Sequence, residues 1–484
     1  MHLRKGPNEK FCCFQEEKLP YPWLQESKEH IKYFGTLAQM HSLIRLLPGL
    51  ILFCMVLTGV HARSKLLRPS KDDFYTPPPG FENEKPGAIL KSRTLPHNSL
   101  AVASVFRQNL ESVYQILYRT NDGLGAPVAT VTTLFVPYGA DPSKLVSYQA
   151  AEDSSAIDCA LSYTLQSGSS FADFFMQAEP LLMASYFRRG WSVSVPDYEG
   201  PKALFGVGAM AGKATLDGIR AVLSSSSFTK IDPMADVQMW GYSGGSIPTG
   251  WATELHPSYA PELNIVGAVL GGVVVSPNGT MNMINQLDDK SLVFPFYRGL
   301  ANQYPDMAAY LNSVIKPEKR KDYDRVNDLC VTGIMREYKK DDLSTYFSEP
   351  DYVNHPTVKK ALEENVMGQL DTPTIPLFML HMEFDKLAPF SEVEELYSRW
   401  CDGGASIQFI IDASSAHTSH LFLGIPDAVL FMESRFDKKP IQKGCSTTGK
   451  SLSKVDSHSL SALGSLLWNA WVGLNGIRLG AKNP

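Results

Sequence analysis

The stretch Val237-Gln238-Met239-Trp240-Gly241-Tyr242-Ser243-Gly244-Gly245-Ser246-Ile247-Pro248-Thr249-Gly250-Trp251-Ala252 places a serine among glycines where an apolar run gives way to a helical one. Its centre matches G-x-S-x-G. Such a match arises by chance roughly 0.2 times in a chain this long at ordinary glycine and serine abundance. The flanks carry the weight: a strand ending at a sharp turn that opens a helix lifts the serine Oγ toward a neighbouring base, which a weakly acidic hydroxyl needs before it can attack.

Working outward, that base and its orienting acid should follow in the order serine, acid, histidine, each just past a later strand. Asp385 follows the apolar run 376–382 in Glu383-Phe384-Asp385-Lys386-Leu387, and His417 follows the run 406–411 in Ser414-Ser415-Ala416-His417. His420, His381 and Asp412 are rivals, as core or surface polar residues or as the true members; position favours His417 over His420 and Asp385 over Asp412. An oxyanion would need two backbone N–H donors, one after the nucleophile and one from a loop after an early strand. Gly244 supplies the first. Asp153, in Ala151-Glu152-Asp153-Ser154 after the strand at 144–150, is the candidate for the second.

The rest of the chain alternates in the same way. Strands are expected near 128–137, 144–150, 191–195 and 265–275, with helices near 178–189 and 214–224 and from Ser246, and again a helix at 392–400 and one near 421–435. Alternation of this kind predicts an α/β fold of the hydrolase type: a mostly parallel sheet with helices on both faces. Residues 277–370 show no strand pattern and are expected to form an inserted helical cap between core segments 128–276 and 371–445. Residues 63–127 look like an N-terminal arm and the start of the core, and 446–484 like a tail or flap.

Leu46 to Val60 is nearly all apolar, follows Arg45 and ends in Val60-His61-Ala62, the form of a secretory signal over 40–62; fifteen residues are too few to span a bilayer. Residues 1–39 are too long for a signal's charged leader and look like a mis-annotated extension, with Met40 the better start. Four cysteines, Cys159, Cys330, Cys401 and Cys445, then remain in the mature chain, an even number that allows three pairings. Asn278-Gly279-Thr280 is a glycosylation sequon. With a formal charge of −5 the chain gives no reason to expect nucleic acid. Gly206-Val207-Gly208-Ala209-Met210-Ala211 sits too far from its strand for dinucleotide binding, and neither a phosphate loop nor a metal set is expected, the alternation of His381, Glu383 and Asp385 included; no cofactor is called for.

Tyr148-Gln149-Ala150-Ala151-Glu152-Asp153 with Asp158-Cys159-Ala160 and Ser162-Tyr163, the serine motif, Tyr259-Ala260-Pro261-Glu262-Leu263-Asn264-Ile265-Val266-Gly267-Ala268, and His417 with Gly424 together resemble the fungal secretory lipase family, from about Asp73 to Cys445. The resemblance implies an α/β-hydrolase core with a cap bearing the lid, and hydrolysis of acylglycerols and related carboxylic esters. It implies Ser243, Asp385 and His417 as the triad, with Asp153 and Gly244 at the oxyanion hole. It also implies the disulfides Cys159–Cys330 and Cys401–Cys445. Ala416 stands where relatives carry an acidic residue, and the cap and tail match poorly. A deacetylase of a small acetylated metabolite is therefore the alternative, with a non-catalytic binding protein behind it. The expected partner is a lipid or small-molecule ester, including at a lipid–water interface, met by a secreted monomer.

Overall fold

The structure, a computed structural model, describes residues 66–481 apart from 171–175, 414–415 and 451–456. The expected extension and signal lie outside the described residues. Among the described residues there are twelve strands: β1 Ile89–Leu95, β2 Ala101–Val102, β3 Phe106–Arg107, β4 Ser112–Asn121, β5 Pro127–Val136, β6 Lys144–Gln149, β7 Ser192–Pro196, β8 Asp236–Tyr242, β9 Ile265–Gly271, β10 Leu377–Met382, β11 Ile407–Asp412 and β12 Cys445–Lys450. Ten of them form one sheet in the order β1-β4-β5-β7-β6-β8-β9-β10-β11-β12, while β2 and β3 pair separately. From β7 onward every pairing is parallel; β1, β4, β5 and β7 are joined antiparallel.

The central parallel strands β8, β9 and β10 are nearly continuous apolar runs because both their faces are covered. β10 is buried at all six residues and β8 at all but its first. The helices longer than six residues are α1 Glu179–Phe187, α2 Gly208–Ser224, α3 Ser246–Tyr259, α4 Pro277–Ile284, α5 Val293–Gln303, α6 Pro305–Val314, α7 Val331–Tyr338, α8 Pro356–Glu363, α9 Phe390–Asp402, α10 His417–Phe436 and α11 Ser457–Leu474. On β9, Gly267 faces Phe431 and Arg435 of α10, whereas Leu270, three residues on and so on the opposite face, meets Gly250 of α3. On β10 the same division recurs, with Phe378 stacked on Phe431 and His381 on Phe390 of α9. Helices therefore cover both faces of the sheet. The fold is that of an α/β hydrolase.

Between β9 and β10 the chain leaves the sheet for α4 to α8 and several shorter helices. These helices occupy the stretch between Gly271 and Leu377, within which the cap was expected at 277–370. Gly208, inside the apparent nucleotide motif, begins α2, and a Cβ there would lie 2.0 Å from the Trp251 ring of α3. The small residues of that motif thus let two helices approach closely.

Residues 63–127, expected as an N-terminal arm and the start of the core, contribute β1 and β4 to one flank of the main sheet. The tail also has structure: β12 extends the other flank beside β11, and α11 packs against α1 and α10. β12 reads Cys-Ser-Thr-Thr-Gly-Lys, without an aliphatic residue to signal a strand. It is fastened by the disulfide Cys401–Cys445, which ties its first residue to the end of α9.

Candidate active site

Ser243 sits at the turn between β8 and α3 with φ of +54°, the left-handed region that side chains with a Cβ rarely occupy. Holding a serine there costs on the order of 1–3 kcal/mol. The turn is so tight that a Cβ on Gly245 would lie 2.0 Å from the Gln149 carbonyl oxygen of β6. Ser246 braces it: its hydroxyl donates to the Ser243 carbonyl at 2.6 Å and accepts from the Val274 amide at 2.9 Å. The strain is therefore held by packing and hydrogen bonds beyond the turn itself.

The ends of β10 and β11 bring the other two groups to this serine. His417 Nε2 lies 2.8 Å from Ser243 Oγ, and His417 Nδ1 lies 2.7 Å from Asp385 Oδ2. The other Asp385 oxygen accepts the amides of Leu387 and Ala388 at 2.7 and 3.2 Å. Burial opposes charge on Asp385, yet the hydrogen bond and charge of His417 and the amides hold its carboxyl below the usual range. An ionised Asp385 keeps a proton on His417 Nδ1, which leaves Nε2 as the acceptor facing the serine. His417 is the first residue of α10 rather than part of a loop, and the Tyr242 hydroxyl donates to its carbonyl at 2.6 Å.

The rival residues are placed elsewhere. His420 and Asp412 form their own buried pair at 3.6 Å. His381 accepts the Val273 amide at Nδ1, 3.0 Å, so its proton is on Nε2, 3.2 Å from the Ala388 carbonyl and 3.6 Å from Asp385 Oδ2. Burial pushes both histidines down to about 4, so they stay neutral at ordinary pH. Among the described residues no group of three or more His, Cys, Asp or Glu could hold a metal ion.

On the other side of Ser243 stands the loop after β6. Asp153 has φ of +51°, and its Oδ1 occupies the space beside Gly244, 1.8 Å from where a Cβ would be. The two expected oxyanion residues are thus neighbours. Tyr198 ties the loop down, donating to the Ala150 carbonyl at 2.7 Å and accepting the Glu152 amide at 3.1 Å. The surroundings are acidic. Burial raises Asp153 to about 6, countered by His417, and raises Asp197 to about 7 despite two hydrogen bonds from Ser162. Glu152 and Glu199, both buried, are pushed well above the usual range, first by burial and then by neighbouring carboxylates: Glu199, Asp197 and Asp153 act on Glu152, and Asp153 and Asp197 on Glu199. Sequence reading passed over Tyr198, Glu199, Tyr242 and Ser246. Asp197-Tyr198-Glu199 directly after an apolar strand was the one available signal.

The helical stretch between β9 and β10 is joined to this loop. Cys159 and Cys330 form a disulfide, Ser154 Oγ donates to the Leu329 carbonyl at 3.2 Å, and Ser155 Oγ to Asn327 at 2.9 Å. Asn278 is exposed on the first turn of α4 rather than on a loop. It lines a cavity of about 320 Å³ with Met367, Glu392 and Arg399, and none of Ser243, Asp385 or His417 lines that cavity.

Residues 165–444 match the family described as Secretory lipase. The chain is 38% identical over 431 residues to Lipase A of Arthroderma benhamiae, covering 87% of this chain and 91% of that protein. It is 38% identical over 417 residues to Lipase 1 of Candida albicans, covering 83% and 88%. Among solved structures, lipase A of Candida antarctica superimposes with a TM-score of 0.76 at 26% identity, covering 87% of this chain and all of that one. The closed state of the same lipase gives 0.73 at 26% identity, covering 83% and 96%.

Proposed function

The chain belongs to the secretory lipase family and is an ester hydrolase, and we propose that it is a secreted serine lipase or carboxylesterase working through an acyl-enzyme on Ser243. His417 Nε2 takes the Ser243 proton as Oγ attacks the ester carbonyl. The carbonyl π electrons move to oxygen, and the backbone N–H groups of Asp153 and Gly244 receive that oxyanion. Asp385 stabilises the imidazolium. Collapse of the tetrahedral intermediate breaks the bond to the leaving oxygen, which takes its proton from His417 and departs as the alcohol. Water, deprotonated by His417, then attacks the acyl carbon and releases the acid, restoring Ser243.

The observation that carries this reading is the unbroken relay of 2.8 and 2.7 Å from Ser243 through His417 to Asp385, with the serine held at positive φ. The insertion 277–370 serves as the cap over the acyl site. Export through the signal at 40–62 accounts for two disulfides and leaves Asn278 open to glycosylation. The mature chain acts as a monomer. The test is hydrolysis of p-nitrophenyl esters from acetate to palmitate, with fluorophosphonate labelling, by the secreted protein and by Ser243→Ala. Activity on long chains, with labelling and turnover both lost in the variant, is the expected result. Turnover that survives Ser243→Ala overturns the assignment, and turnover confined to acetate points to a deacetylase.

A further inference from the structure

The C-terminal helix α11, Ser457–Leu474, lies beyond the residues that match the family, which end at 444. It reads Ser-His-Ser-Leu-Ser-Ala-Leu-Gly-Ser-Leu-Leu-Trp-Asn-Ala-Trp-Val-Gly-Leu and contains no Asp, Glu, Lys or Arg. A fifth of the whole chain is charged, so a surface helix of this length ordinarily carries about four such residues. Its inner face is accounted for: Leu466, Asn469 and Val472 are buried, and Gly473 packs on Gln108. Its outer face, which includes Ser461, Gly464 and Ser465, carries no Asp, Glu, Lys or Arg and presents two tryptophans. Trp468 and Trp471 are 41% and 51% exposed and stack on each other at 5.0 Å.

The surroundings extend this surface. The β2–β3 hairpin, on which α11 packs, exposes Val105, and the chain just past the helix exposes Ile477. Two guanidinium groups belong to the same segments: Arg107 on β3, and Arg478, which rests over the Tyr138 ring at 4.9 Å. No described helix is long and apolar enough to cross a membrane. An uncharged face with a tryptophan pair, which cannot span and is accompanied by cations, has the chemistry of a helix lying in a lipid–water interface. There the indole rings sit at headgroup level and arginines meet anionic headgroups.

We propose that the outer face of α11, centred on Trp468 and Trp471 with Val105 and Ile477, docks the protein on an anionic lipid surface. The proposal rests on the ester-hydrolase reading for its purpose, since an insoluble ester is reached only at such a surface. It is separate from that reading in its residues, none of which belongs to the relay at Ser243.

The experiment uses the secreted full chain, Trp468→Ser/Trp471→Ser, and Ile477→Glu. Sedimentation with vesicles of phosphatidylcholine and phosphatidylglycerol measures docking, hydrolysis of dissolved p-nitrophenyl butyrate reports the site, and triolein emulsion reports the two together. Expected is partition weakened roughly tenfold or more in both variants, the emulsion rate falling with it, and the dissolved-ester rate unchanged. Should the double variant lose dissolved-ester hydrolysis through misfolding, the milder Ile477→Glu decides by its partition alone. Wild-type protein that fails to partition, or variants that partition equally well, overturn the proposal. So does a wild-type dimer that the substitutions dissociate, which would give the face to a second copy. Wild-type protein that partitions yet hydrolyses no ester leaves docking supported and sinks the ester reading instead.

Discussion

The two sides of Ser243 are built from opposite proton inventories. Toward β6 and β7 lie the buried acids Glu152, Asp153, Asp197 and Glu199, raised by burial so that they favour their protonated, neutral forms. Toward β10 and β11 lie His381 and His420, depressed by burial so that they favour their unprotonated, neutral forms. Both sides thus avoid buried charge, but one does so by keeping protons and the other by losing them. Asp385 departs from both patterns: it is buried, yet its hydrogen bonds hold its carboxyl below the usual range.

The largest effect should come from breaking the histidine side at the proposed base. His417→Ala is expected to cut kcat by a factor on the order of 10⁵, whereas His420→Gln, in the neighbouring pair, should change it by less than about tenfold. Steady-state hydrolysis of p-nitrophenyl butyrate separates them, and equal losses would mean that the two pairs are not distinct. Next, Asp385→Asn should cost about 10⁴ in kcat, with Asp412→Asn again nearly silent in the same assay.

The acid side offers a stability test. An acid whose folded pKa is raised holds a proton that the unfolded chain has released, so stability is full below about pH 4 and is lost as pH rises through the folded value. For Asp153 and Asp197 that window runs from about 4 to about 6 and about 7. Glu199→Gln, which stays neutral at every pH, should therefore narrow the gap in melting temperature between pH 5 and pH 8 by about 2 °C or more, as read by differential scanning fluorimetry. An unchanged gap would show that folding does not raise the Glu199 carboxyl.

The smallest effect belongs to the histidines. A buried His kept neutral contributes stability above the unfolded value of about 6.5, lost as pH falls toward about 4. His420→Gln should flatten that acid-side loss by about 1 °C, so the two variants flatten opposite ends of the same melting profile.

Much of this was legible beforehand. β8, β10 and β11 are largely apolar runs that end shortly before Ser243, Asp385 and His417; β8 and β10 are visible because they are buried on both faces, and β11, half-buried at Gln408, Ile410 and Ile411, because four of its six residues are apolar. β1 reads Ile-Leu-Lys-Ser-Arg-Thr-Leu and β12 has no aliphatic residue, because strands at the flanks of a sheet are half exposed and carry polar side chains. Backbone pairing builds such strands, and pairing leaves little mark on composition. The same limit hid Tyr242, whose hydroxyl reaches the His417 carbonyl across 175 positions of sequence. Long-range hydrogen bonds of that kind become readable only once the sheet order is known.

The disulfide between Cys159 and Cys330 rivets the helical insertion to the core at one corner. The rivet stands six residues from Asp153, beside the Ser154 and Ser155 contacts to Leu329 and Asn327, so the segment that fastens the insertion and the segment that flanks Ser243 are one piece of chain.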